Sequence, residues 1–204
     1  MVNLAPNRGE LWLEGMRCPA IIAKALFCCA AALSVHAACA AEVAGVTMPN
    51  VVSVAGVELR LNGIGVLKKA IFFKIYVAGL YLESPTSDAR VAITTDEPKR
   101  IVISMLRKVS RKLFVQAVEM GVMRNSGPQM PRLRARLDRL EQALPALKKG
   151  EVLDMTYLPG AGTLVRGGDQ TMTIPGQDFS DALFSIWLGP KPISAALKRQ
   201  LMGG

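Results

Sequence analysis

Beyond residue 40 this sequence of 204 residues holds no cysteine and no histidine, because Cys18, Cys28, Cys29, Cys39 and the lone His36 all precede that point. Residues 41 to 204 therefore cannot form disulfides, thiolate or Ser-His-Asp catalysis, zinc sites built on Cys or His, or an axial haem histidine. Proton transfer there falls to carboxylates, Lys, Tyr or water. Aromatics are scarce as well, and none stands between Gln116 and Thr156. That gap removes the stacking platforms on which single-stranded nucleic acid is held, so no specific nucleic-acid binding is expected. No apolar run reaches the ~20 residues of a membrane-spanning helix, so no transmembrane segment is expected after residue 40.

What the first 40 residues do hold is a leader pattern. Arg17 and Lys24 precede the apolar run 25–35, and Ala38-Cys39-Ala40 supplies small residues at the minus-three and minus-one positions. The pattern predicts a secretory signal over residues 16–40, cleaved between Ala40 and Ala41, and a periplasmic or secreted protein. His36 stands where a lipobox carries Leu, which argues against acylation of Cys39. Residues 1–15 fit no such signal, and Met16 before it suggests a misassigned start. The remaining 164 residues suffice for one domain with its own core and no staples.

Charge is unevenly placed. Past residue 40 there are 22 Lys and Arg against 14 Asp and Glu, yet the segment from Lys99 to Lys149 holds 13 basic residues and only three acids. Such a segment is read first as solvated helix faces and second as a weak contact for anionic surfaces.

Periodicity gives the elements. Val57 to Leu61 alternates as a strand, Asn62-Gly63-Ile64-Gly65 reads as a turn, and residues 70–83 form a long strand, apolar on both faces, with a bend at Gly79. Pro85 to Asp88 reads as a turn, and residues 100–106 as the next strand. Ser110 can cap a helix with Leu113, Phe114, Ala117, Val118, Gly121 and Val122 on one face, broken by Gly127-Pro128. Leu133, Leu137, Leu140 and Leu144 then form a leucine stripe, with Arg132, Arg134, Arg136 and Arg139 largely off it. Strands return at 151–158, 163–166 and 170–174, with glycines in the turns rather than in a nucleotide-binding motif. An apolar helix carries Phe179, Ala182, Leu183, Ile186 and Trp187, and Ser194 caps a last one with Leu197 and Leu201. This order predicts an α+β fold, a large antiparallel sheet backed by helices on one side.

The segments LNGIGVLKKAIFFKIYVAGLYLE at 61–83, KRIVISMLRKVS at 99–110 and IWLGPKPISAALKRQLMG at 186–203 resemble the bacterial chalcone isomerase-like proteins. The resemblance spans residues 41–204 in order. It implies the chalcone-isomerase fold, an open-faced β-sandwich with a ligand cleft between sheet and helices. Enzymatic members cyclise chalcones with an arginine, two threonines, a tyrosine and an asparagine. The resemblance places those positions at Leu67, Tyr76, Phe114, Gly121 and Ile186, and none matches. Leu67 is the decisive loss, since a guanidinium could hold a developing oxyanion and Leu67 cannot. No catalytic residue, metal or cofactor is assigned. The preferred expectation is a non-catalytic protein binding a small apolar or aromatic ligand, such as a fatty acid, through Lys68, Tyr76, Phe114 and Ile186. The alternatives are an isomerase of the intramolecular-lyase type on another substrate, with Tyr76 and Lys68 or Lys74 as polar groups, and partner or anionic-surface binding through the basic helices.

Overall fold

The computed structural model describes residues 40–69 and 72–204, and the leader expected at 16–40 lies outside these except for its last residue, Ala40. Nine strands are described: β1 (Ala40–Val43), β2 (Val46–Pro49), β3 (Val51–Val54), β4 (Val57–Lys69), β5 (Phe73–Leu82), β6 (Lys99–Met105), β7 (Val152–Leu158), β8 (Gly162–Gly167) and β9 (Gln170–Ile174). β3 to β9 form one antiparallel sheet in chain order, and β1 and β2 pair separately as a hairpin. The hairpins β1–β2 and β3–β4 turn on Ala44-Gly45 and Ala55-Gly56, where all four residues have positive φ. That is the backbone of a two-residue turn whose twist matches the strands it joins.

Five helices accompany the sheet: α1 (Ala89–Thr94), α2 (Arg111–Ser126), α3 (Met130–Ala143), α4 (Gln177–Leu188) and α5 (Ala195–Leu201), with a 3₁₀ turn at Gly127–Gln129. Ser110 and Ser194 cap α2 and α5 by accepting from the amides of Leu113 and Leu197 at 3.4 Å and 3.2 Å. α4 is the central helix, buried along most of its length, and packs against both α1 and α2. The leucine stripe of α3 is fully buried, with α3 lying against β9.

The pleat explains why β5 is apolar on both faces. Tyr76, Ala78, Leu80 and Leu82 join the helix-side core, while Val77 packs with Met48 and Val66 under the β1–β2 hairpin. The Tyr81 hydroxyl donates to the Pro49 carbonyl at 2.9 Å on that second face, tying β2 down.

Two expectations need correction. Asn62 to Gly65 is not a turn, because β4 continues through it to Lys69. The glycines serve a close approach instead: a Cβ on Gly63 would meet the backbone oxygens of Gln200 and Leu201, and one on Gly65 would lie 2.5 Å from the Gln200 amide oxygen. Asn62 Nδ2 donates to Leu201 O at 2.9 Å, and Gln200 Oε1 accepts from the Val66 amide at 3.0 Å, so α5 is clasped across the strand. The second correction is the extent of β5, which runs Phe73–Leu82 and so leaves out Phe72 and Glu83, while the expected residues 70 and 71 lie outside the described residues.

Candidate ligand cleft

A bulge in the β4–β5 pairing positions the floor of the cleft. Leu67 faces Tyr76 and Lys68 faces Lys74, leaving Ile75 as the extra residue. Such an insertion re-aims side chains locally, and here Leu67, Ile75 and Tyr76 all face one apolar cleft of about 80 Å³. Met105 of β6 completes the floor. Leu113, Phe114 and Val118 of α2 form one wall, and Ile186 and Trp187 of α4 form the other.

Four of the five positions placed by resemblance, Leu67, Tyr76, Phe114 and Ile186, line this cleft. The fifth, Gly121, lies behind it, where a Cβ would come within 2.8 Å of Ile186 Cγ2. Glycine there lets α2 and α4 approach closely enough to hold Ile186 in the wall. Lys68 does not line the cleft; it is exposed beside Leu67, at the rim. Trp187 and Met105 are lining residues that periodicity alone could not single out, since both read as ordinary core.

One polar group stands in this apolar site. The Tyr76 hydroxyl accepts a hydrogen bond from Trp187 Nε1 at 2.9 Å. No acceptor for its own proton occurs among the described residues, so the hydroxyl retains a hydrogen bond to give. Burial raises its pKa well above the ordinary phenol value, outweighing the opposing effect of the Trp187 bond, so it stays protonated and serves as a donor.

A second buried polar cluster sits at the other end of β6. Lys99 is 2% exposed, and its ammonium donates to the carbonyls of Ile93 and Thr95 at the end of α1 and lies 3.5 Å from Asp181 of α4. Burial lowers the pKa of Lys99 and raises that of Asp181, in each case more than their mutual attraction opposes it. Tyr157 donates to Asp96 at 2.5 Å beside them. Every donor of this cluster faces an acceptor supplied by the fold, so it fastens α1 to α4 rather than awaiting a ligand. Among the described residues no group of carboxylates suited to a metal ion occurs.

An antiparallel sheet roofed by helices, with an apolar cleft between the layers, defines a protein of the chalcone-isomerase fold. The family model for chalcone isomerase-like proteins matches residues 40–203, and the chain belongs to that family. A solved structure of an Arabidopsis thaliana fatty-acid binding protein is similar at a TM-score of 0.60, with 15% identity over 78% of this chain and 93% of that one. At that identity the likeness speaks to the fold. Comparison with curated proteins finds no match.

Proposed function

We propose that this protein binds, without transforming it, a small apolar ligand bearing a carboxylate or carbonyl, of which a fatty acid is the type. The observation that carries this reading is the Tyr76 hydroxyl, a buried donor with its proton unclaimed at the floor of an otherwise apolar cleft. Sites for small ligands combine such apolar lining with a few placed polar groups. The fatty-acid binding protein of the same fold supports the choice of ligand class.

Pre-formed sites for drug-sized ligands are ~300–1,000 Å³, so a full acyl chain requires the wall to open. Leu113, 62% exposed on α2, is the most exposed residue of the wall. An isomerase reading is less well supported, because Lys68 and Lys74 lie outside the cleft and leave Tyr76 without an acid–base partner. We further propose export, with maturation between Ala40 and Ala41, which sequencing of the secreted N-terminus tests.

Native mass spectrometry of the purified protein, followed by organic extraction, tests the binding reading directly. A co-purifying fatty acid, displaced by added fatty acid and absent from a Leu67→Trp, Val118→Trp variant that still folds, is the expected result. Undiminished ligand content in that variant would place the ligand elsewhere.

A further inference from the structure

At the sheet end where the cleft opens, Phe72 in the turn before β5 and Phe73 at the first position of β5 present aromatic side chains to solvent. Phe72 is 84% exposed and Phe73 53% exposed, an unusual state for two adjacent large apolar residues. Lys69, paired with Phe73, and the facing pair Lys68 and Lys74 flank them and are exposed. Arg107 stacks its guanidinium 4.8 Å from the centre of the Phe73 ring and donates from Nε to the Lys74 carbonyl at 3.0 Å. Lys108 and Lys112, also exposed, stand beside Arg107 and at the start of α2.

Among the described residues, acidic side chains are sparse at this end. None occurs between Glu58 and Glu83 or between Glu97 and Glu119. Nearby Glu151 turns its carboxylate onto the Lys148 amide at 2.7 Å. None of the ion pairs among the described residues involves these six cations. The arginines of α3, which the sequence offered as the basic surface, are in contrast partly neutralised. Arg134 meets Glu119, Asp138 and Glu141, and Arg136 forks onto Asp178 at 2.7 and 2.6 Å.

We propose that this sheet end is a docking surface for an anionic lipid bilayer, with Phe72 and Phe73 entering the interface and Lys68, Lys69, Lys74, Arg107, Lys108 and Lys112 meeting the headgroups. Exposed aromatics ringed by cations match a surface that is apolar a few ångströms down and negative above. A second copy of the chain would set cations against cations. A nucleic acid would use the charge but gain less from the rings, because the Phe73 face is already occupied by Arg107. The proposal does not depend on what the cleft holds, though the cleft-lining Leu67, Ile75 and Leu113 are chain neighbours of Lys68, Lys74 and Lys112.

The test is co-flotation of the full chain with vesicles of phosphatidylcholine alone and of phosphatidylcholine with about one third phosphatidylglycerol, across a salt series. Binding should require the anionic lipid and weaken as salt shortens the screening length toward ~10 Å at 0.1 M and below. Phe72→Ser with Phe73→Ser, and separately Lys68→Glu with Lys74→Glu, should each reduce partitioning about tenfold. Arg132→Glu with Arg139→Glu, an equal charge change on α3, should reduce it less than about threefold. Phe72→Trp should add, above the emission of Trp12 and Trp187 measured in the parent chain, a component that brominated acyl chains quench. Because these readouts compare substitutions within one chain, binding through the N-terminal segment cannot imitate them. Unchanged partitioning in the phenylalanine variant, a larger loss in the α3 variant, unquenched emission, displacement from vesicles by single-stranded DNA, or lipid-free self-association that the phenylalanine variant abolishes would each overturn the proposal.

Discussion

Trp187 Nε1 donates to the Tyr76 hydroxyl at 2.9 Å, joining α4 to β5 across the floor of the cleft. Both residues are buried, so neither group can turn to water when the other is removed. Tyr76→Phe should therefore cost about 1–3 kcal/mol of stability, the penalty of a buried donor left unpaired. The same change should weaken fatty-acid binding about three- to tenfold, the equivalent of one net hydrogen bond. Denaturant midpoints and displacement of a fluorescent fatty acid measure the two effects. Equal affinity in the variant would remove Tyr76 from the ligand contact.

Chalcone cyclisation should not be accelerated. Leu67, at the position the resemblance assigns to the arginine, supplies no donor for an oxyanion, and each such donor lost typically costs about 10²–10³ in rate. Spectrophotometric turnover abolished by Tyr76→Phe would show that the cleft catalyses after all.

Substituting Gly63 by Ala should detach α5. The added methyl group meets backbone oxygens of Gln200 and Leu201, which cannot rotate aside as a side chain could. A loss of about 1–3 kcal/mol is expected from such overpacking, together with faster amide exchange over 195–201. Preserved exchange protection there would show that the strand, not the helix, yields.

The Arg136–Asp178 fork makes stability fall in acid. Arg136, through its hydrogen bonds, holds the Asp178 carboxyl below the usual carboxylate range, so its contribution is present above the unfolded pKa of ~3.9 and is lost as pH falls through the lower folded value. Both groups are partly exposed, which limits the effect to about 1 kcal/mol or less. Asp178→Asn should lower the thermal midpoint at neutral pH and narrow its gap from the parent chain between about pH 4 and 2. A gap that stays constant over that range would mean the pair contributes nothing as an ion pair.

Ala55→Asn should stabilise the protein by about 0.5–1 kcal/mol. Ala55 has φ of 50°, in the left-handed region where asparagine is far more at ease than alanine. Calorimetry checks the sign.

That turn also shows why part of the fold was hard to read. A two-residue hairpin is announced by Asn-Gly or Asp-Gly, and here Ala-Gly does the work twice, so β1, β2 and β3 carried no local signal. Gly63 and Gly65 misled in the opposite direction. They look like turn residues, yet they are cut short to receive a helix more than 130 positions later. α1, barely a turn and a half with only Ala92 and Ile93 buried, was invisible except for its cap Asp88. The strands and helices with long, regular apolar periods were legible, from the α3 stripe to β7, β8 and β9. In the cleft, Tyr76, Phe114 and Ile186 followed from the family resemblance. Met105 and Trp187 did not, since their roles come from a bulge and a helix crossing that no short window of sequence encodes.

The clasp of α5 on β4 has a consequence for the order of events during folding. Each strand of the large sheet pairs with its neighbour in the chain, so the sheet can zip from one hairpin to the next as residues become available. α5 is the exception, closing back onto a strand at the far end of the domain through Asn62 and Val66. Contacts of such long sequence separation form late, because their loop entropy must be met first. The Leu67 side of the cleft thus reaches its final form only when the last helix has docked, and a chain clipped before Ser194 would be left with its sheet assembled and its binding site unlatched.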